Sequence, residues 1–246
     1  MRFFALLLVL IVPSGLSAQP QLEAGEWRDR EYLFQQAPDG AQDPAIMVWF
    51  HGMTRGDPIG AEKQFGYLDR LSQWALEHEM ALLIPFAEEG PCEQRPRSER
   101  DWRCWPTFTA RREIIRMEAL IEDLEAEHGE FSAMQALGLS RGAYFLSVAW
   151  GRGAMDDWER VGLLSGAQSP ERWRTSNTPP IAIEYGALDP GNARFVEEFV
   201  ADLARRPLED KVCVRETEAG HLPDADGFGA FLEFVAQCAS DTPVAD

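Results

Sequence analysis

Three segments of the chain carry side chains whose types and order could perform acyl transfer on a serine. Gly138-Leu139-Ser140-Arg141-Gly142 is a G-x-S-x-G pentapeptide between an apolar run of strand length and a helical stretch that begins at once. The pattern suits a serine held on a sharp strand-to-helix turn, with small residues two positions to either side so that backbones can pass. The helix that follows would aim its unpaired N–H groups and the positive end of its dipole at the serine. A serine hydroxyl becomes a good nucleophile only when a base takes its proton, and histidine suits that role near neutrality. Of the four histidines, His78 and His128 fall near helix ends and read as solvated, and His51 belongs to another motif. That leaves His221, in Glu218-Ala219-Gly220-His221-Leu222-Pro223, on a loop between the last strand-like run and the last helical one.

The base needs an acid to hold its tautomer and to stabilise the imidazolium. Asp189, in Gly186-Ala187-Leu188-Asp189-Pro190, follows an apolar run and preserves the order Ser, Asp, His. Turn formation is the alternative reading of an Asp-Pro pair. Asp224 and Asp226 are weaker rivals because they lie after the histidine. A tetrahedral intermediate also needs two N–H donors. The Arg141 backbone would supply one, and the loop His51-Gly52-Met53-Thr54 the other, through Met53 with Gly52 as the alternative. His51 would then shape the loop and transfer no proton.

These segments must be carried by an alternation of strands and helices. Apolar runs at Ala45 to Phe50, Ala81 to Pro85, Met134 to Leu139, Val161 to Ser165, Ile181 to Tyr185 and Val212 to Thr217 read as strands. Trp27 to Gln36 would add antiparallel edge strands. Helical period marks Glu62 to Glu79, Ala110 to His128, Arg141 to Trp150, Asn192 to Arg205 and Gly227 to Gln237. Thr109 is the expected N-cap of the second helix and Gly129 its stop. The expectation is a single α/β domain over 19–246, with a mostly parallel sheet covered by helices on both faces and no large cap domain. Phe86 to Phe108, rich in Glu, Arg, Pro and Trp, lacks periodicity and leaves the carboxyl end of a strand, so it is a candidate wall of the site.

The first 18 residues read as a secretory signal peptide: Arg2, an apolar run from Phe3 to Val12, then Leu16-Ser17-Ala18. The run is shorter than the roughly 20 residues a membrane span needs, and a retained N-terminal anchor is the alternative. The expected location is outside the cell or in the periplasm, with no stable membrane anchor after cleavage. Such a compartment favours disulfides. Four cysteines allow three pairings, and chain position favours Cys92 with Cys104 and Cys213 with Cys238 over the alternative of buried thiols. A formal charge of −18 argues against a nucleic-acid partner, which would need clustered positive charge. Against that acidic background Arg95, Arg97, Arg100, Arg103, Arg111 and Arg112 gather in one stretch. Arg103 is a candidate for reading an acidic group on a substrate, the alternative being a solvated charged loop. Trp102, Trp105 and Phe108 could line a substrate pocket or pack the loop onto the body.

The pentapeptide, the His-Gly loop, the Asp and the His, in that order and on those elements, resemble the α/β-hydrolase superfamily over essentially the whole mature chain. The short loops are similar to the dienelactone hydrolase and polyhydroxybutyrate depolymerase/feruloyl esterase branches, and Cys104-Trp105 resembles a Cys-aromatic segment of the latter. Arg141 departs from the small residue usual there after the nucleophile, and Ser140 from the cysteine of a dienelactone hydrolase proper. The resemblance implies a carboxylic ester hydrolase that works through Ser140, Asp189 and His221 and an acyl-enzyme, with no metal and no organic cofactor. Its substrate would be a small or polymer-derived ester. A serine peptidase, an acyltransferase or a non-catalytic binding protein on the same fold are the alternatives.

Overall fold

The apolar strand runs do build one sheet. The computed structural model describes residues 21–57, 60, 63–90, 92, 101–174 and 178–238; the expected signal peptide lies outside them, as do Arg95, Arg97 and Arg100. Eleven strands are described: β1 Glu23–Trp27, β2 Arg30–Gln35, β3 Ile46–Phe50, β4 Thr54–Arg55, β5 Ala81–Pro85, β6 Glu89–Gly90, β7 Trp102–Arg103, β8 Met134–Leu139, β9 Arg160–Leu164, β10 Ile181–Gly186 and β11 Val212–Thr217. Eight of them form a sheet in the order β1-β2-β5-β3-β8-β9-β10-β11. The β1/β2 hairpin and the β2/β5 pair are antiparallel, and the other pairs are parallel. Parallel neighbours need crossovers, which here run through the helices α1 Tyr67–Glu77, α2 Ala110–His128, α3 Arg141–Gly151 and α4 Pro190–Leu203, except from β9 to β10, where no helix is described; α5 Ala225–Cys238 closes the chain.

Alternation along β3 divides the core in two. Ile46, Val48 and Phe50 enter one layer with Ile114, Met117 and Ile121 of α2, Phe145 of α3 and Phe199 of α4. Met47 and Trp49 enter the other with Leu68 and Leu71 of α1 and Phe228 and Phe231 of α5. All five β3 side chains are buried, the pattern of a strand covered on both faces. No described helix is long and apolar enough to cross a membrane.

Several boundaries differ from expectation for local reasons. The helix expected over Glu62 to Glu79 is interrupted: residues 63–64 are helical, and α1 then runs as Tyr67–Glu77, entered through Gly66 at φ 73° and left before Glu79, whose φ is 55°. Thr109 occupies the N-cap position of α2, but its side chain makes no capping bond. In the aperiodic stretch, β6 and β7 join β4 in a small antiparallel sheet of order β4-β7-β6. Both favoured disulfides are present, Cys92–Cys104 across the loop between β6 and β7 and Cys213–Cys238 from β11 to the end of α5.

The topology fixes where a site can open. From β3 the chain crosses to β5 on one side, then returns to β8 on the other side of β3. Such a reversal leaves a crevice beyond the carboxyl ends of the two strands. The segment His51 to Thr54 leaves β3 at that edge, and Ser140 leaves β8 beside it.

Candidate active site

Ser140 links β8 to α3 with φ 49° and ψ −109°, a conformation that costs a residue with a side chain on the order of 1–3 kcal/mol. The surroundings enforce it. The Ser140 N–H donates to the Leu164 carbonyl at 2.8 Å. A Cβ on Gly142 would stand 2.0 Å from the Phe50 carbonyl oxygen, and one on Gly138 would stand 2.7 Å from the Gly142 carbonyl carbon. Only glycine lets β3, β8 and α3 approach this closely.

Asp189 leaves the carboxyl end of β10 and His221 the loop after β11. His221 Nε2 lies 2.9 Å from Ser140 Oγ, and Nδ1 lies 2.7 Å from Asp189 Oδ2. With Nδ1–H donating to the carboxylate, Nε2 is the acceptor for the serine hydroxyl. The Asp189 side chain is 18% exposed and that of His221 35%, so the carboxylate is shielded more than the imidazole. Tyr67 Oη donates to the Pro223 carbonyl at 2.5 Å and ties the histidine loop to the start of α1.

Two residues that the sequence did not single out join this line. Asn192 Nδ2 donates to Asp189 Oδ2 at 2.6 Å, and Tyr144 Oη donates to Asn192 Oδ1 at 2.8 Å. Burial, reinforced by the Asp189 charge and opposed by that of Arg141, pushes the Tyr144 hydroxyl up to about 12. It is therefore a protonated donor at neutral pH.

The loop after β3 closes the site from the other side. Gly52 abuts the serine, since a Cβ built on it would lie 3.6 Å from Ser140 Cβ. The Met53 N–H finds no backbone acceptor among the described residues, and Arg141 holds the first position of α3, where a helix supplies no acceptor of its own. His51 is buried and locked on both ring nitrogens: Nδ1–H donates to the Gly52 carbonyl at 2.6 Å and Nε2 accepts from the Ala87 N–H at 3.0 Å. Burial holds its pKa down at about 4, against the raising effect of the Gly52 bond, with Arg103 and Arg30 lowering it further. The ring stays neutral and shapes the loop.

Beside Ser140 and His221 opens a pocket of about 130 Å³, lined on its apolar side by Met53, Phe65, Tyr67, Leu139 and Leu222. Trp102, Arg103 and Trp105 are not among its lining residues. Trp105 is fully buried against Phe50, His51 and Phe145. Arg103 is engaged by Glu31 at 2.8 Å, Glu89 at 3.4 Å and the Ala87 carbonyl at 3.2 Å. Trp102 lies in β7, paired with Arg55 and Gly90. The stretch Phe86 to Phe108 thus braces the loop after β3, through β4 and the Ala87 bond to His51, and lends the pocket no lining residue among those described. Of the two histidines read as solvated, His78 is exposed, whereas His128 is half-buried and stacks on Phe34 with ring centroids 4.8 Å apart. Among the described residues no group of His, Cys, Asp and Glu could hold a metal ion.

No protein-family model matches the chain, and no curated protein matches it in sequence. Solved structures do. A CE1 ferulic acid esterase from Anaeromyces mucronatus, in complex with ferulic acid, superposes with a TM-score of 0.63 at 14% identity, covering 94% of each chain. The fluorophosphonate-binding serine hydrolase F of Staphylococcus aureus, with substrate bound, gives a TM-score of 0.60 at 12% identity over 89% of this chain and 99% of the other. A carboxylesterase from Bacillus cereus gives 0.56 at 16% identity over 85% and 94%. Strand order and these likenesses together define the class: the chain has the α/β-hydrolase fold, without a cap domain among the described residues.

Proposed function

We propose that the protein is a secreted serine hydrolase that cleaves carboxylic esters through an acyl-enzyme. The reading is carried by one observation: Ser140, His221 and Asp189 stand in hydrogen-bonded line, at 2.9 and 2.7 Å, on a strained turn beside the Met53 N–H, which has no backbone acceptor among the described residues. Ser140 Oγ attacks the ester carbonyl carbon while His221 Nε2 takes its proton. The oxyanion is stabilised by the Met53 and Arg141 N–H groups. As the intermediate collapses, the carbon–oxygen bond to the alcohol breaks and His221 returns the proton to the departing alcohol. Water, deprotonated by His221, then attacks the acyl carbon and restores Ser140. Asp189 holds the imidazole in this tautomer and stabilises the imidazolium in both steps. The two disulfides and the N-terminal apolar run support export.

The pocket sets the size of the acyl group. A cavity of about 150 Å³ holds a benzene-sized guest, so 130 Å³ lined by Met53, Phe65, Leu139 and Leu222 suits a short acyl chain. Purified protein should hydrolyse nitrophenyl acetate and butyrate faster than the decanoate, and Ser140→Ala should lower kcat by at least about 10⁴-fold. An inactive wild type on every chain length, or an active Ser140→Ala protein, would overturn the proposal.

A further inference from the structure

We infer that Asn192 and Tyr144 are positioning residues that hold Asp189, and through it His221, in register with Ser140; the inference rests on the reading of the triad given above. Asp189 occupies the N-cap position of α4 yet makes no capping bond with its side chain. An aspartate there ordinarily accepts from the N–H groups of its own first turn. Here the carboxylate has turned away to meet His221 and has given up that local anchor. Asn192, three residues on, replaces it with a side-chain N–H at 2.6 Å to Oδ2, the oxygen that also faces His221.

The sense of the network is fixed by valence. An ionised carboxylate only accepts, so the Asn192 amide must present its NH₂ to Asp189 and leave Oδ1 for a donor. Tyr144 is that donor, at 2.8 Å. Asn192 Nδ2 also lies 3.2 Å from His221 Nδ1. Both nitrogens carry hydrogen in this arrangement, so that approach is a contact set by their shared acceptor.

Tyr144 sits one turn beyond Ser140 on α3, while Asn192 lies in the first turn of α4. The line Ser140, His221, Asp189, Asn192, Tyr144 therefore returns to the helix it left. It closes a ring that registers the helix of the nucleophile against the helix of the acid. Neither added residue lines the pocket beside Ser140; Tyr144 lines a separate, wider cavity with Arg141 and Phe195, so KM is read beside kcat in the test.

The test compares wild type, Asn192→Ala, Tyr144→Phe and the double variant in nitrophenyl butyrate turnover, fluorophosphonate labelling rate and thermal unfolding. Asn192→Ala should lower kcat and the labelling rate by roughly 10- to 100-fold, the size of loss seen when the hydrogen-bond partner of a metal-ligating side chain is removed, with KM within about twofold of wild type. Tyr144→Phe removes one neutral hydrogen bond and should cost roughly 2- to 10-fold. Because Tyr144 acts through Asn192, the double variant should match Asn192→Ala within about twofold. Wild-type kcat in a folded Asn192→Ala protein, or losses that multiply in the double variant, would overturn the brace and leave the triad standing. Should Asn192→Ala fail to fold, Tyr144→Phe decides alone: unchanged kcat and labelling at an unchanged melting temperature overturns the inference. A wild type that neither turns over ester nor accepts label overturns the triad reading itself, and the brace with it.

Discussion

His51 and His221 belong to the two loops that meet at Ser140, and their surroundings make them chemically different. His221 is partly exposed between a carboxylate and a hydroxyl, whereas His51 is buried with each ring nitrogen committed to backbone. The consequence for His51 is thermodynamic. Its folded pKa of about 4 lies below the ordinary 6.5, so its contribution to stability is complete above pH 6.5 and is lost as pH falls toward 4, where the unfolded chain binds a proton that the fold refuses. By pH 4.5 that loss is roughly 2–3 kcal/mol. Urea unfolding at pH 7 and 4.5 should show wild type losing about that much more stability than His51→Gln, which does not titrate; equal losses would refute the assignment. Gly142 makes a harder demand. With 2.0 Å between an added methyl and the Phe50 carbonyl oxygen, Gly142→Ala must push β3 away from α3. We expect a destabilisation of about 2 kcal/mol or more, read as a lower melting temperature, together with loss of the proposed esterase activity because the loop after Phe50 carries Met53.

Among the elements, β2 and α2 are joined by a charge pair inside the protein. Arg30 Nη2 meets Glu113 Oε2 at 2.7 Å, with the two side chains only 5% and 4% exposed. Removing one partner strands the other, which usually costs 3–5 kcal/mol. Arg116, 3.3 Å from the other Glu113 oxygen, softens that penalty, so Arg30→Ala should cost about 3 kcal/mol in urea unfolding, and Glu113→Gln added to it should recover part of the loss. At this scale the sequence was a good guide wherever apolar runs were long. Ala81–Pro85, Met134–Leu139, Val212–Thr217 and Ala110–His128 have the expected bounds. It was silent on β4, β6 and β7, since two-residue strands have no period to read. Ser140, Asp189 and His221 stood out because their residue types and chain order are restrictive. Asn192 and Tyr144 did not, although Asn192 follows Asp189 by three positions and Tyr144 follows Ser140 by four, spacings that put each on the adjoining helical turn. Phe65 and Leu222 were equally hidden, because an apolar pocket lining has the same composition as a core.

Across the whole molecule, the site depends on elements drawn together from distant parts of the chain, and the Cys213–Cys238 disulfide closes the segment of 25 residues that carries His221. In the chain-entropy account such a loop contributes roughly 3 kcal/mol. Replacing both cysteines with serine should lower stability by about that amount, measured by urea unfolding, and should slow turnover more than it slows substrate binding. The net charge of −18 acts at the same scale, favouring solubility and disfavouring contact with polyanions. Under the proposed function, all of this serves to hold one oxygen atom, Ser140 Oγ, ready to attack. The most direct test is mass spectrometry of the protein after reaction with a fluorophosphonate: we expect a single adduct on the peptide containing Ser140, absent after Ser140→Ala, whereas no adduct, or an adduct elsewhere with Ser140 unmodified, would contradict the account.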